Sequence, residues 1–247
     1  PLSRRRGGTS VRPSSVHQHI DLMHYTRFGF TFHLLREQDL EMVRQWRNDP
    51  VVSNNYEYRE HITPEMQQEW FATVNNINNL YTVIEYEGRK IGVINIKNIN
   101  WDELTCEGGI FLPDPSYHNT HIPAIISYIT TDIIFNVFDW NIGYARVLKE
   151  NRAVQSFVKM LGYELMPEQE EINNQLYRIT RESFERFGPK IRKAISALPG
   201  CTGEGLFFIP AGEIGDPLVE AWEAKVRAGR QVVSAVTTAE GRTYRFL

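Results

Sequence analysis

Residues 105–123 read TCEGGIFLPDPSYHNTHIP, and their reading decides the fold. TCEGGIFL reads as a strand, PDPSYHNT as a loop, and the chain from Ile122 to about Phe138 is apolar nearly all round, the pattern of a buried helix. A strand that feeds the N-terminus of such a helix brings unsatisfied N–H groups and partial positive charge to one place. That is the position at which α/β folds bind anions.

Upstream, LYTVIEYE from Leu80 and KIGVINIKNI from Lys90 flank a turn at Gly88 and make an antiparallel meander with the Thr105 run. Asp102 and Glu103 read as turn residues between the last two runs. Further back, FTFHLL from Phe30 alternates as a strand, and Leu40, Val43 and Trp46 recur at helical spacing until Pro50 forces a stop. Thr63-Pro64-Glu65 announces a second helix, with a hydroxyl cap, proline in the first turn and an acid beside it. Downstream come a strand in GYARVLK, a helix in NRAVQSFVKM that stops at Gly162, a short strand, and a last strand in NQLYRITR. The order β-α-α-β-β-β-α-β-α-β-β is an α/β pattern without internal repeats.

Past Phe184 the texture changes. Gly188-Pro189, Pro199-Gly200 and GCTGEG punctuate the chain, then Asp216, Pro217 and Gly229 cap, open and stop a helix before two strands, QVVSAV and RTYRF. These signals divide the chain into a flexible leader over 1–25, a domain over 26–184 and a small α+β appendage over 185–247. The appendage serves either as a simple extension or as a homo-oligomerisation arm.

With 247 residues, 42% hydrophobic, and 30 acidic against 27 basic side chains, the composition excludes disordered, collagenous and disulfide-framework classes. Two cysteines, Cys106 and Cys201, point to a reducing cytoplasm; no apolar stretch reaches the roughly 20 residues of a membrane span. Arg4-Arg5-Arg6 is followed by no apolar core, so it is no export signal. The acidic balance argues against nucleic acid. His17, His19 and His24 lack cysteine or carboxylate ligands nearby and predict no metal site. Arg186, Lys190, Arg192 and Lys193 read as the solvated face of a helix.

The segments LREQDLEMVRQWRNDP, ITPEMQQEWF and Leu161-Gly162-Tyr163, in this order, resemble the GNAT acyltransferase superfamily, and within it the branch of ribosomal-protein alanine acetyltransferases and the pseudaminic acid pathway amino-sugar N-acetyltransferase. The resemblance covers about Phe30 to Arg181. It implies a mixed, mostly antiparallel sheet flanked by helices, acetyl-coenzyme A as co-substrate, no metal, and a small-molecule amine acceptor, in this branch an amino sugar on a nucleotide.

By the same resemblance, coenzyme A would be held by the end of the fourth strand, Phe111 and Leu112, by the loop His118, Asn119, Thr120, His121 and Ile122, and by Asn151. The loop departs from the family pattern. Both glycines are missing, His118 replaces a cationic residue, and Pro123 offers no N–H. The family tyrosine seven residues after Asn151 is here Val158, which carries no proton. Glu107 is the candidate general base, with Asn151 as the second catalytic candidate; strand alternation leaves open whether Glu107 faces a cleft or solvent, and Asn151 equally suits a helix cap. Trp46, Arg47, Asn48, Tyr56, Tyr58 and His61 form the polar-aromatic group for the acceptor, a guanidinium fork with aromatic faces suiting a diphosphate and a base. Two functions remain open: an N-acetyltransferase, or a degenerate relative without coenzyme A binding that serves as a binding or assembly module.

Overall fold

The computed structural model describes residues 22–246 apart from 55, 57, 202 and 230. His17, His19 and most of the expected leader therefore lie outside the described residues. Its expected end at residue 25 does not hold, because strand β1 (His24–Arg27) already belongs to the sheet. Next come β2 (Phe30–Leu34), α1 (Leu40–Asn48), a single turn α2 (Pro50–Ser53) and α3 (Pro64–Val74). Thr63 caps α3 through the Met66 N–H, as the Thr-Pro-Glu signal predicts. The meander is β3 (Leu80–Tyr86), β4 (Arg89–Asn100) and β5 (Thr105–Phe111), with Glu87 and Gly88 both at positive φ in the first turn. Asn100 Oδ1 accepts the Asp102 and Glu103 N–H groups, which fixes both as turn residues.

The buried helix is α4 (Ile122–Asp132), which widens into a π-helical turn over Ile133–Val137. It is followed by β6 (Ile142–Leu148), α5 (Arg152–Met160), β7 (Glu164–Leu165) and β8 (Asn174–Thr180). The expected break at Gly188-Pro189 is absent: α6 runs unbroken from Arg181 to Ser196 with Pro189 inside it. Phe184, Gly188 and Ile195 are buried along one face, and that packing outweighs the lost N–H. Then β9 (Gly205–Pro210), α7 (Pro217–Ala228), β10 (Val232–Thr237) and β11 (Gly241–Phe246) close the chain.

Among the described residues all eleven strands join one sheet, in the order β10-β11-β9-β1-β2-β3-β4-β5-β6-β8-β7. Among the described residues only β5 and β6 run parallel. The C-terminal segment extends the sheet edge to edge, β9 pairing with β1 from Leu206 to Phe208, and Trp222 and Val226 of α7 are fully buried in the main core. That core joins α4, α6 and α7 to one face of the sheet. A smaller cluster, Leu35, Leu40, Val43, Phe71, Val83 and Val93, seats α1 and α3 on the other.

Candidate active site

β5 pairs with β6 only from Thr105↔Ile142 to Gly108↔Ala145, although β5 continues to Phe111 and β6 to Leu148. Past that point β6 follows β8 in unbroken register while β5 stays with β4, so the two strands diverge. Gly109, Ile110 and Phe111 keep Asn95, Ile94 and Val93 as partners on the β4 side and have no strand partner on the other. All three are half-buried. The wedge thus presents a short row of unused backbone donors and acceptors.

The strand leads from the wedge to the start of α4. Asp114 accepts the Ser116 N–H at 2.8 Å and fixes the single turn Pro115–Tyr117. The His118 and Thr120 N–H groups donate to Pro115 O and Tyr117 O, and the Ile122 N–H donates to Thr120 Oγ1 at 3.1 Å. Pro123 has no N–H to give. The amides of Asn119, His121 and Ala124 remain without a protein acceptor among the described residues. Three donors at a helix N-terminus suit an anion. His118 is not turned outward: its Nε2 lies 2.8 Å from Leu112 O, so the imidazole braces the loop against the strand end. Leu112 is itself buried.

On the face that carries α1 and α3, the strand register lines up Glu107 with Lys97 on one side and Tyr144 on the other, and Tyr144 with Arg178. Glu107 faces this cleft. Lys97 Nζ stands 3.0 Å from its Oε1 and Arg146 Nε 3.4 Å from its Oε2. Glu107, Tyr144, Arg146, Leu176, Thr105 and Asn98 line a cleft of about 210 Å³. Arg178 is half-buried and has no acid partner among the described residues. Lys97 and Arg146 both face the Glu107 carboxylate here. Cys106 points to the opposite face, where burial pushes its thiol well up and leaves it unreactive.

On the same face of the sheet Trp46 and Tyr56 both meet the Phe111 ring edge-on, at 6.4 and 6.2 Å, and the Arg47 guanidinium lies 3.7 Å over Tyr56. Burial raises the Tyr56 phenol, with Arg47 opposing. On β3, burial pushes the Tyr81 phenol up to about 12, with Arg47 opposing. Beside Tyr81, Asn95 Oδ1 is buried without a hydrogen-bond partner.

A family description, the acetyltransferase (GNAT) domain, matches residues 30–164, over half of the chain. The chain belongs to the GNAT acetyltransferase family. Solved structures with the same architecture include a domain from Methanocaldococcus jannaschii (19% identity, TM-score 0.54, 61% of this chain and 97% of that one). Another is spermidine N-acetyltransferase from Vibrio cholerae in complex with CoA and spermine (16%, 0.56, 64% and 98%). A third is the aminoglycoside acetyltransferase AAC(6')-Ib in complex with coenzyme A (17%, 0.54, 64% and 98%). No curated protein sequence matches this chain.

Within this GNAT domain the sequence-named residues divide. Glu107 lines the cleft, Trp46, Arg47 and Tyr56 gather around the Phe111 ring, and Asn119, His121 and the start of α4 at Ile122 belong to the loop. Asn48 does not enter the cleft: its amide donates to Ile62 O and accepts the Ile62 N–H, clasping α1 to the segment before α3. His61 and Tyr58 are exposed. Asn151 lies beyond the end of β6 and caps α5 by accepting the Val154 N–H at 3.2 Å; Val158 is buried. Tyr81, Asn95, Lys97, Tyr144, Arg146 and Arg178 escaped the sequence reading. Only the register reveals that Lys97 and Tyr144 flank Glu107. No group of three or more His, Cys, Asp or Glu side chains among the described residues is placed to hold a metal ion. No helix among them is long and apolar enough to cross a membrane.

Proposed function

We propose that the chain transfers the acetyl group of acetyl-coenzyme A to a primary amine. The observation that carries this reading is the wedge: a half-buried strand edge at Gly109–Phe111, paired with β4 but not covered by β6, that leads to three free N–H groups at the start of α4. These fit an extended amide-bearing arm and a diphosphate, respectively. Asn119, His121 and Ala124 would hold the diphosphate through their amides, with Thr120 and Ile122 shaping the turn. Gly109, Ile110 and Phe111 would hold the arm, with Leu112 ending the strand and Asn151 flanking the far side of the wedge. Bound acetyl-coenzyme A supplies an activated thioester. The chain's own part is to orient it, to polarise its carbonyl with backbone N–H groups and to take a proton from the incoming ammonium at a Glu107 oxygen.

For the acceptor we favour an amine that also carries negative charge, an amino sugar on a nucleotide being the reading from sequence. Lys97 and Arg146 outnumber Glu107 at the cleft, and Arg47 stacked on Tyr56 offers a cation and aromatic faces together. A polycationic amine would meet repulsion there. We place the reaction in the cytoplasm, where two unpaired thiols are stable. A second copy would find the open sheet edge at β10, where Val233 and Val236 are exposed.

Thermal unfolding with millimolar acetyl-coenzyme A tests the reading, since a ligand at a hundred times its Kd stabilises by about 2.7 kcal/mol. Thiol release is then followed with UDP-glucosamine, glucosamine 6-phosphate and spermidine as acceptors. We expect a rise in Tm and faster release with the phosphorylated amines. Absence of any rise with acetyl-coenzyme A or coenzyme A would replace the transferase with the binding-module reading, which the donors lost at Ile122 and Pro123 would then explain.

A further inference from the structure

The side chain of Asn95 lies on the acceptor face of β4, between Tyr81 of β3 and Gly109 of β5, its partners in register. Its Oδ1 is sealed from solvent and accepts no hydrogen bond. A buried acceptor without a donor costs stability that an apolar side chain of similar size would not. A β-carbon built on Gly109 would stand 3.0 Å from both Oδ1 and Nδ2, so the amide lies directly over that glycine. Gly109 is also the first residue of β5 that β6 no longer covers. The unused acceptor therefore sits over the first residue of the wedge, in register with Tyr81.

Resting on the transferase reading above, we propose that Asn95 is a substrate-contacting residue whose side-chain amide hydrogen-bonds the attacking amine through Oδ1. An ammonium bears three N–H bonds. One proton passes to Glu107, the N–H that the product amide keeps is held by Asn95, and the freed lone pair forms the new C–N bond as the C–S bond to coenzyme A breaks; the remaining extra proton on nitrogen passes to the departing sulfur, which leaves as the thiol. A hydroxyl nucleophile has a single O–H, which cannot serve Glu107 and Asn95 together, so the pair selects amines.

The test is NMR of the full chain labelled with ¹⁵N, the Asn95 side-chain NH₂ pair being assigned by its loss in Asn95→Leu. Coenzyme A is added to saturation, then ethylammonium chloride as the amine probe, with ethanol as control. The pair should shift with ethylammonium and stay put with ethanol. In thiol-release assays with the best of the three acceptors, Asn95→Leu should lose about ten- to a hundred-fold in kcat/KM for the amine at unchanged affinity for coenzyme A. Asn95→Asp, which retains an acceptor oxygen, should recover most of that loss. Should the pair ignore ethylammonium while coenzyme A moves resonances around Gly109, a trapped water and not substrate satisfies Asn95, and only this inference falls. Should coenzyme A move nothing, the transferase reading falls and takes the inference with it. If Asn95→Leu does not fold, the wild-type titration and Asn95→Asp still decide.

Discussion

Pro123→Ala adds one N–H to the first turn of α4 and changes little else. At present Asn119, His121 and Ala124 are the free donors there, the Ile122 N–H being held by Thr120 Oγ1. If the diphosphate of coenzyme A binds at this turn, a fourth donor makes a charge-assisted hydrogen bond, about 1.5–3 kcal/mol, or roughly ten- to a hundred-fold in Kd. The same substitution removes the pre-set φ of proline and loosens the unfolded chain, which costs about 0.4–1 kcal/mol of stability. For a chain of this size that lowers Tm by about 1–4 °C. The ligand-free protein should therefore melt slightly earlier yet bind coenzyme A more tightly, two effects of opposite sign from one change. Calorimetric titration with coenzyme A, and with pantetheine as the control that lacks a diphosphate, separates them. Unchanged Kd for coenzyme A alongside the expected fall in Tm, or equal tightening for pantetheine, would refute the assignment of this turn to the diphosphate.

Trp222→Ala should destabilise the whole molecule, because the indole is fully buried against Phe138 and Trp101, with ring centroids at 5.3 and 6.0 Å. Emptying such a site costs about 3–5 kcal/mol, or on the order of 10 °C in Tm; a separate early transition confined to the C-terminal strands would show instead that the segment folds by itself. Stability should also fall in mild acid. The His24 and His33 rings are 5.7 Å apart, and burial lowers both from their ordinary 6.5, with Glu85 opposing at His33. A base whose folded pKa is depressed is protonated first in the unfolded chain, so its contribution is complete above pH 6.5 and shrinks as pH drops through 6.5 toward the folded values. His24→Asn with His33→Asn should flatten Tm between pH 7.5 and 5; an unchanged slope would rule the pair out as its source.

Much of the domain is legible from local chemistry. Thr63-Pro64 at α3, Asp216-Pro217 at α7 and the Glu87-Gly88 turn are each dictated within a few residues, and alternation marks the meander. β1 was hidden because only four residues, HYTR, form it, and its role as a strand comes from β2 and β9 on either side. GLFFIP in β9 was masked by the glycines before it. Pro189 misled because a break rule acts on an isolated helix, whereas Phe184 and Ile195 hold this one against the core. At the site, Trp46, Arg47, Tyr56 and Glu107 stood out as chemistry-bearing types. Tyr81, Asn95 and Arg178 sit on other strands of the meander and beyond, and their proximity exists only in the register.

The choice between a working transferase and a decayed relative turns on what a sheet does when nothing occupies it. β5 and β6 pair for four residues, and both continue for three more. Closing that gap would add ladder hydrogen bonds, each worth about 0.5–1.5 kcal/mol net, and would bury Ile110 and Phe111 further. Selection for stability alone would favour closure, or would fill the opening with a side chain from Gly109. Instead the opening persists, its floor is a glycine, and the amide of Asn95 is left unsatisfied over it. Unused hydrogen-bonding capacity at three neighbouring places, the strand edge, the Asn95 amide and the first turn of α4, is costly as scaffold and useful for holding a ligand. The substituted loop weakens one of the three without removing the others. Loss of the family glycines is therefore better read as retuned affinity for coenzyme A than as loss of the site.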